Sequence, residues 1–247
     1  MFKMGGIFSA WLAHQRSHGI SRIFDPPQKW GWVVAFSLAV YSNTFANSYS
    51  TSFPAIENPI SEGKSWSNGL AIGISWNNVR TTSGFAFGTQ TGTTKYDDSI
   101  ASLTGVWGPN QTVQATVHIV RSDSALFEEV ELHVRRSIAA NHATGYEILF
   151  SIKRQNQYIQ IVRWNGPYND WTELKEVKGY VKDGDEVKAS IVGNKITAYI
   201  NGSVVLSVSD DTYSVGSPGI GFYVQSGESA NSSNFGFSRF VATDEMH

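Results

Sequence analysis

The sequence contains no cysteine, which excludes a disulfide framework, a thiol nucleophile and a cysteine-ligated zinc site. Charged residues make up only 16% of the 247 residues, and the formal net charge is −2. A protein that binds nucleic acid normally carries a strongly basic face, so we expect no nucleic-acid partner. Helical periodicity is also missing after residue 46, and this absence favours an all-β domain.

Long apolar runs are scarce as well. The longest, Trp30 to Val40, has 11 residues, whereas a membrane span needs about 20. Basic residues precede it, and the small residues Thr44 and Ala46 follow at spacings typical of a secretory signal. We therefore predict an N-terminal export signal or leader at 1–46, no membrane span in the mature chain, and a secreted or cell-surface location, periplasmic or extracellular. The alternative is a buried helix or an uncleaved anchor.

Short stretches of alternating apolar and polar residues, separated by turn residues, are abundant. The clearest is 187–223, where Asn/Gly turns at 193–194 and 201–202 separate period-2 runs. Asn and Gly tolerate the positive φ angles that two-residue hairpin turns need. Many short strands at regular spacing predict that 47–247 form a single domain, an antiparallel two-sheet β-sandwich. Residues 52–56 and 70–76 are among the predicted strands.

The segments VELHVR, YIQIVRWNGP, NKITAYING and GSPGIGFY follow one another in an order that resembles the concanavalin A-like lectin/glucanase superfamily. Within that superfamily, the laminin G-like secreted bacterial jelly-roll domains are most similar. The resemblance covers roughly residues 52–244. It implies a concanavalin A-like jelly roll and a polysaccharide or glycan as partner. The superfamily contains lectins, glycosidases, lyases and adhesion modules, so the resemblance alone does not choose an activity.

A row of charged residues occupies one predicted strand. Alternate side chains of a strand point to the same face, so Glu129, Glu131, His133 and Arg135 are predicted to share one face. If the chain is an enzyme, the first three would be catalytic, and Arg135 would bind an anionic substrate. Laminarinase-type glucanases carry E-x-D-x-x-E on such a strand, but here Val134 occupies the last position, which argues against glucanase chemistry. The alternative is a solvated face of cross-strand ion pairs.

An aromatic segment, WNGPYNDW, offers a second candidate site. Its turn residues predict a surface loop at which Trp164, Tyr168 and Trp171 are presented. Aromatic rings stack on the apolar face of a sugar, and Asn165 can bond its hydroxyl groups. We predict that these four residues, with Arg135, bind the ligand. The alternative is that the rings cap the hydrophobic core.

No cofactor is predicted, apart from a structural calcium ion as a secondary expectation. Carboxylate pairs at 97–98 and 210–211 offer oxygen ligands, and Glu57 could meet Asp244 if the first and last strands pair. None has the spacing of a defined calcium loop, and aspartates are common in turns. The histidines share no short zinc-ligand spacing.

These observations predict an exported, non-catalytic carbohydrate-binding module of lectin type. The alternatives are a polysaccharide-degrading glycoside hydrolase or lyase that uses Glu129, Glu131 and His133, and a structural or adhesion protein.

Overall fold

The computed structural model describes residues 46–91, 98–121, 127–167, 169–225 and 232–245. All of them fall within one compact unit, Asn43–His247. The predicted export signal lies outside the described residues except for Ala46, and it stays a prediction. No helix in the described residues is long and apolar enough to cross a membrane.

Within these residues the chain forms fifteen strands and two short 3₁₀ helices, Leu70–Ile72 and Ser232–Asn234. The strands are β1 Ser48–Thr51, β2 Trp66–Asn68, β3 Asn77–Thr82, β4 Phe85–Gly88, β5 Ser99–Leu103, β6 Asn110–Ile119, β7 Phe127–Ala139, β8 His142–Ser151, β9 Ile159–Pro167, β10 Trp171–Val177, β11 Glu186–Val192, β12 Lys195–Ile200, β13 Ser203–Ser209, β14 Ser217–Gln225 and β15 Phe235–Glu245.

The strands are arranged in two layers. The first, called the groove sheet below, has the order β10-β9-β8-β7-β14-β5, with β2 paired to β5. The second, called the opposite sheet, has the order β3-β4-β15-β6-β11-β12-β13, with β1 paired to β15. Strand β3 joins the layers, because it pairs antiparallel with β4 and parallel with β5. The predicted all-β, two-sheet sandwich is confirmed.

The core lies between the inner faces of the two sheets. Val130, Leu132 and Val134 of β7 contribute from the groove sheet, and Val187 and Ala189 of β11 contribute from the opposite sheet. All five are fully buried. Burying one such aliphatic side chain contributes about 1.5–3 kcal/mol to folding, so this layer is the main source of stability.

The predicted hairpins form at the expected turns. Strands β11 and β12 pair in register across Gly193, which has a φ of 59°. Strands β12 and β13 pair across Asn201 and Gly202, whose φ angles are 49° and 78°. These left-handed conformations are the reason why Asn and Gly occupy the turns.

Two predicted strands are wrong. Residues 70–76 form a 3₁₀ helix and a bend, because Gly73 takes a φ of 82° and its N–H bonds the Leu70 carbonyl. Residues 52–56 are not a strand either. There Phe53 is buried with a φ of 54°, and the edge strand is β1, which precedes it.

Candidate functional site

Strand β7 contains a bulge that divides its charged row. The pairing register with β8 shifts between Val134 and Ser137, and Arg135 has a φ of 50°. The Arg135 side chain therefore leaves the face occupied by Glu129. Its guanidinium donates 2.7 Å hydrogen bonds to the carbonyl oxygens of Pro109, Tyr213 and Gly193. The prediction that Arg135 shares a face with the glutamates is wrong, because the bulge breaks the two-residue alternation.

Glu129, Glu131 and His133 do share the outer face of the groove sheet, but this face is not solvated. Their exposed fractions are 5%, 0% and 0%. The covering layer includes Trp76, which follows the first 3₁₀ helix and whose ring centroid lies 4.5 Å from that of Trp164. The interpretation of this row as a solvated face is therefore wrong. Alternation identified the common face but could not show that a distant loop covers it.

The bulge brings Arg136 onto the outer face in place of Arg135. Its guanidinium carbon lies 5.1 Å from the Trp76 ring centroid and 5.4 Å from that of Trp164. Its Nη2 donates to Oε2 of Glu147 at 3.1 Å. The side chain of Arg136 is fully buried, so the carboxylate and the two rings take the place of water around its charge.

Glu147 is the centre of this buried network. It lies on β8 directly opposite His133 of β7. Its Oε2 also accepts a 2.9 Å hydrogen bond from Nε1 of Trp164. His133 Nε2 lies 3.4 Å from this oxygen and 3.3 Å from Oε2 of Glu131. A Cβ added at Gly221 of β14 would overlap Glu131 Oε2, so this strand needs a glycine there.

The protonation states of the network differ because the neighbours differ. Burial, reinforced by the Glu147 charge, raises the pKa of Glu131 well above its usual range. Burial together with Arg136 lowers the pKa of His133 to about 4. Burial alone would raise the pKa of Glu147, but the His133 hydrogen bond, the Arg136 charge and the Trp164 N–H lower it. At neutral pH the network therefore consists of one ion pair, Glu147 with Arg136, and the neutral side chains Glu131 and His133.

One histidine and two carboxylates are also a donor set that transition metals use. Donor atoms of Glu131, His133 and Glu147 lie within 4.8 Å of one another. However, Arg136 and Trp164 already donate to Glu147 Oε2, and Arg136 neutralises the Glu147 charge without an ion. Calcium prefers oxygen ligands alone and fits this set less well. The chemistry of the cluster is that of a hydrogen-bonded support beneath the sheet's outer surface.

Three of the carboxylates considered for calcium have protein partners. Asp210 accepts from Tyr146 Oη at 2.7 Å and from Arg163 Nη1 at 2.5 Å. Asp244 accepts from the backbone N–H groups of Asn47 and Gly108. Glu57 accepts from two backbone N–H groups of the loop that follows it, at Ser61 and Glu62, so it does not join Asp244. Residue 97 lies outside the described residues.

A groove of about 430 Å³ runs along the outer face of the groove sheet, beside the buried network. Its lining combines aromatic rings, amides and carboxyl groups: Asp98, Phe127, Glu129, Glu147, Leu149, Tyr158, Gln160, Val162, Trp164, Trp171, Glu176, Tyr223 and Gln225. Glu131 and His133 do not line the groove. The groove thus separates Glu129 from the two residues with which the sequence grouped it.

The aromatic segment lies differently from its predicted loop. Trp164 is inside β9, 97% buried, and pairs in register with Trp171, the first residue of β10. Both rings line the groove. Asn165 does not line the groove, and its amide nitrogen donates to Asp170 and Thr172. Tyr168 lies outside the described residues, so its predicted ligand contact stays a prediction.

Glu129 lines the groove with a carboxyl group that is itself largely buried. Its Oε1 accepts a hydrogen bond from the Tyr158 hydroxyl, while its Oε2 has no hydrogen-bond partner among the described residues. Burial raises the pKa of Glu129 to about 8, although the Tyr158 hydrogen bond acts in the opposite direction. At neutral pH the group is therefore mostly protonated, so that it can donate as well as accept a hydrogen bond.

Several groove and network residues were missed from the sequence. Gln160, Val162 and Trp164 alternate along β9. The two-residue period therefore predicts that Gln160 and Val162 share the face of Trp164, which the sequence had already assigned to a site. Glu147 and Arg136 could not be found this way. The first requires the β7–β8 register, and the second requires the bulge.

No family model and no curated protein match this sequence. Solved structures do match. The carbohydrate-binding module CBM66 from Bacillus subtilis is 13% identical, with a TM-score of 0.51 over 75% of this chain and 96% of that one. The Ca²⁺/mannose-bound exoplasmic/lumenal domain of VIP36 is 11% identical, with a TM-score of 0.56 over 80% and 90%. The fold is the concanavalin A-like jelly roll.

A third jelly-roll structure, β-agarase A in complex with oligoagarose, is 10% identical, with a TM-score of 0.52 over 82% of this chain and 94% of that one. The structural similarity shows that the fold is shared, and identities this low say nothing about the ligand of this chain. The predicted concanavalin A-like jelly roll is confirmed. One of these proteins is a carbohydrate-binding module, and the other two structures contain a bound sugar.

Proposed function

We propose that this protein binds a glycan in the groove, as a lectin-like jelly-roll module. The observation that carries the proposal is the combination of side chains that line the groove. The rings of Trp164, Trp171 and Tyr158 lie in the same groove as the Glu129 carboxyl group, whose Oε2 has no partner among the described residues.

The combination suits a sugar for physical reasons. A pyranose has an apolar C–H face, which packs on aromatic rings, and a rim of hydroxyl groups, which needs several hydrogen-bond partners. Glu129, Gln160 and Gln225 supply donors and acceptors around the rings. A volume of about 430 Å³ lies within the usual range of ligand sites and holds a short stretch of a polysaccharide. The carbohydrate-related neighbours of the same fold support the proposal.

Affinity electrophoresis on neutral polysaccharides tests it, with agarose, laminarin, mannan, xyloglucan and galactan as probes. We expect at least one to retard the protein, and Trp171→Ala to weaken that binding by about tenfold or more, because stacking on a half-buried ring is lost. Trp107→Ala is the matched control, since Trp107 does not line the groove. Equal binding by wild type and Trp171→Ala, or binding lost equally in both variants, would remove the groove as the glycan site.

The geometry favours binding over hydrolysis. A two-carboxylate glycosidase needs carboxyl groups about 5–9.5 Å apart. The two glutamates with opposite pKa shifts that line the groove are Glu129 and Glu147. The Glu147 carboxylate is already bonded by Arg136 and Trp164, so it is held in the buried network rather than free to attack a sugar or a water molecule. Glu131 and His133, the other predicted catalytic residues, lie under the face and do not line the groove.

A glycoside hydrolase remains the second candidate, and one observation favours it. Glu129 is a protonated carboxyl group at neutral pH in a groove, which is the state a general acid requires. Incubation with the same polysaccharides and analysis of new reducing ends tests this function. Product release that Glu129→Gln abolishes would establish hydrolysis, whereas binding without product at high protein concentration would exclude it.

We also propose that the domain acts outside the cytoplasm, on the basis of the secretory pattern at 1–46. Mass spectrometry of the protein recovered from the culture medium or periplasm should show a new N-terminus close to Asn47. Recovery only from the cytosol, with residues 1–46 retained, would contradict export. Glycan binding in the groove does not depend on this result.

A further inference from the structure

The lining of the groove is rich in carboxyl groups. Four carboxyl groups line it, from Asp98, Glu129, Glu147 and Glu176, and its described lining contains no lysine or arginine. An anion-binding glycan site would need the reverse, because carboxylate and sulfate groups are bound by arginine and lysine. The charge of the lining therefore carries information about the ligand.

The strands of the groove sheet do contain basic residues, and each is directed elsewhere. Arg135 leaves the outer face at the bulge and bonds three carbonyl oxygens. Arg136 is on the outer face but is buried beneath Trp76 and Trp164, where its Nη2 bonds Glu147.

The two remaining cations belong to β9 and β10. Arg163 Nη1 donates to Asp210 at 2.5 Å and to Thr212 at 2.9 Å. Lys175 Nζ donates to the Ser207 carbonyl oxygen of β13 at 3.0 Å. None of the four basic side chains lines the groove, so none is placed to pair with an acidic sugar.

Glu129 adds an observation that concerns the ligand directly. Its side chain is 95% buried, lines the groove, and leaves Oε2 without a partner among the described residues. Oε2 itself is shielded from solvent, so a ligand in the groove meets Glu129 as a buried and mostly uncharged carboxyl group. A sulfate or uronate group bound there would lose part of its hydration, and the described lining supplies no lysine or arginine to neutralise its charge.

We propose that the groove selects by charge and takes glycans that carry neither carboxylate nor sulfate groups. This inference rests on the proposed glycan-binding function and narrows its ligand to uncharged polysaccharides. An ionised carboxylate about 7 Å from a ligand anion weakens binding by roughly threefold in water-like surroundings and by up to about fiftyfold in a partly buried site.

The test compares polysaccharides that differ only in charge. The neutral polysaccharide that binds most tightly in the panel is carboxymethylated to a low degree, and a hydroxyethylated sample of equal substitution controls for bulk. We expect the hydroxyethyl form to bind within about threefold of the parent. We expect the carboxymethyl form to bind at least tenfold more weakly in 20 mM salt, with the difference shrinking in 1 M salt as charges are screened.

Two variants on β10 locate the effect. Glu176 lines the groove, whereas Glu173 on the same strand does not. We expect Glu176→Gln to improve binding of the carboxymethyl form by about threefold and to leave the hydroxyethyl form unchanged. Glu173→Gln is the matched control, because it removes the same charge outside the groove, and it should change neither.

The possible results distinguish charge selection from glycan binding itself. Equal binding of both derivatives, or tighter binding of the carboxymethyl form, overturns charge selection but leaves glycan binding in place. Charge selection is also overturned, and glycan binding kept, if an anionic polysaccharide binds more tightly than every neutral one. Failure of all neutral and anionic polysaccharides to bind overturns the proposed function and the inference together.

Discussion

At the residue scale, Glu131 and Glu147 approach the same His133 nitrogen but differ in charge. Glu147 has Arg136 and the Trp164 N–H beside its Oε2, and these partners hold it ionised. Glu131 has no cation within bonding distance among the described residues, and its Oε1 has no partner there, so burial keeps it protonated. Glu147 thus neutralises the buried Arg136, whereas Glu131 is an uncharged side chain that fills the space beside His133.

The first prediction follows from this difference. Glu147→Gln should lower the free energy of unfolding by about 3–5 kcal/mol, because it leaves the buried Arg136 without its counter-ion. Glu131→Gln should cost less than about 1.5 kcal/mol, because it replaces one neutral group with another of the same shape. Urea denaturation of both variants at pH 7 measures the two values.

These two variants also test whether Glu131 is uncharged in the folded protein. A loss for Glu131→Gln as large as that for Glu147→Gln would mean that Glu131 is ionised in the folded protein. An ionised Glu131 would need a cation beside it, and a divalent transition metal would then be the natural partner. Repeating the measurement with excess chelator distinguishes a bound ion from a protein partner.

The second prediction concerns pH. The raised pKa of Glu129, about 8, means that the folded protein holds a proton that the unfolded chain releases above about pH 4.3. Stability should therefore fall as pH rises towards 8. His133, with its pKa lowered to about 4, has the opposite effect, but only between about pH 4 and 6.5. From pH 6.5 to 8 the contribution of His133 is absent, and that of the two carboxyl groups with raised pKa values remains.

In that window a proton retained by Glu129 decreases stability by at most about 2 kcal/mol, at 1.36 kcal/mol per pH unit. Glu131, whose pKa is also raised, adds a decline in the same direction. Glu129→Gln should make the decline between pH 6.5 and 8 shallower in urea titrations at several pH values. An unchanged slope in this variant would show that Glu129 is already ionised at pH 6.5.

At the element scale, the bulge in β7 determines which arginine reaches the outer face. It is flanked by two glycines, Gly145 of β8 with a φ of 114° and Gly216 with a φ of 134°. A Cβ at either position would overlap the Arg135 backbone carbonyl group. The bulge thus depends on two neighbouring segments that carry no side chain at the point of closest approach.

The third prediction is that Gly145→Ala costs more than about 3 kcal/mol, because strain at a φ that only glycine adopts readily adds to a backbone clash. Gly202→Ala is the matched control. Gly202 also has a positive φ, 78°, but a Cβ there meets nothing within 4 Å, so the cost should be about 1 kcal/mol. Similar costs at the two positions would show that β7 can relax away from Gly145.

At the scale of the whole molecule, the first described strand closes the domain against the last. Asn47 bonds the Asp244 carboxylate through its backbone N–H and its side-chain amide, at 2.5 Å and 2.7 Å. Strand β1 pairs with β15, and the Tyr49 ring packs against Trp66 and Phe240. These contacts begin at Asn47, the residue that directly follows the predicted signal.

The fourth prediction follows. A chain of residues 47–247 should melt within about 2 °C of the full-length protein, because it keeps both sheets complete. A chain of residues 52–247 should melt roughly 6–12 °C lower, because it loses β1, the packing of Tyr49 and the bonds of Asn47; this corresponds to about 3 kcal/mol in a domain of this size. Calorimetry of the three proteins measures the shifts. A 47–247 chain that fails to fold would show that the domain begins earlier.

The sequence by itself determined the sandwich, because alternation and turn chemistry are local properties. The β11–β12–β13 hairpins could be read directly, since Asn201 and Gly202 occupy backbone conformations that few other residues adopt. The common face of Glu129, Glu131 and His133 followed from the same two-residue period. The strand prediction failed at 70–76. There the apolar residues between Gly69 and Gly73 form a 3₁₀ helix, and Trp76, which follows it, packs on Arg136 and Trp164.

Only the tertiary structure decided the charge and exposure of those residues. Trp76, more than fifty residues from β7 in sequence, turns a charged face into a buried network. Glu147 meets His133 because of the pairing register, and a single extra residue at the bulge exchanges Arg135 for Arg136. Burial and counter-ions depend on segments far apart in the chain. This is the physical reason why the sequence placed Trp164 and Trp171 near a site but could not give the uncharged or ionised state of the carboxyl groups beside them.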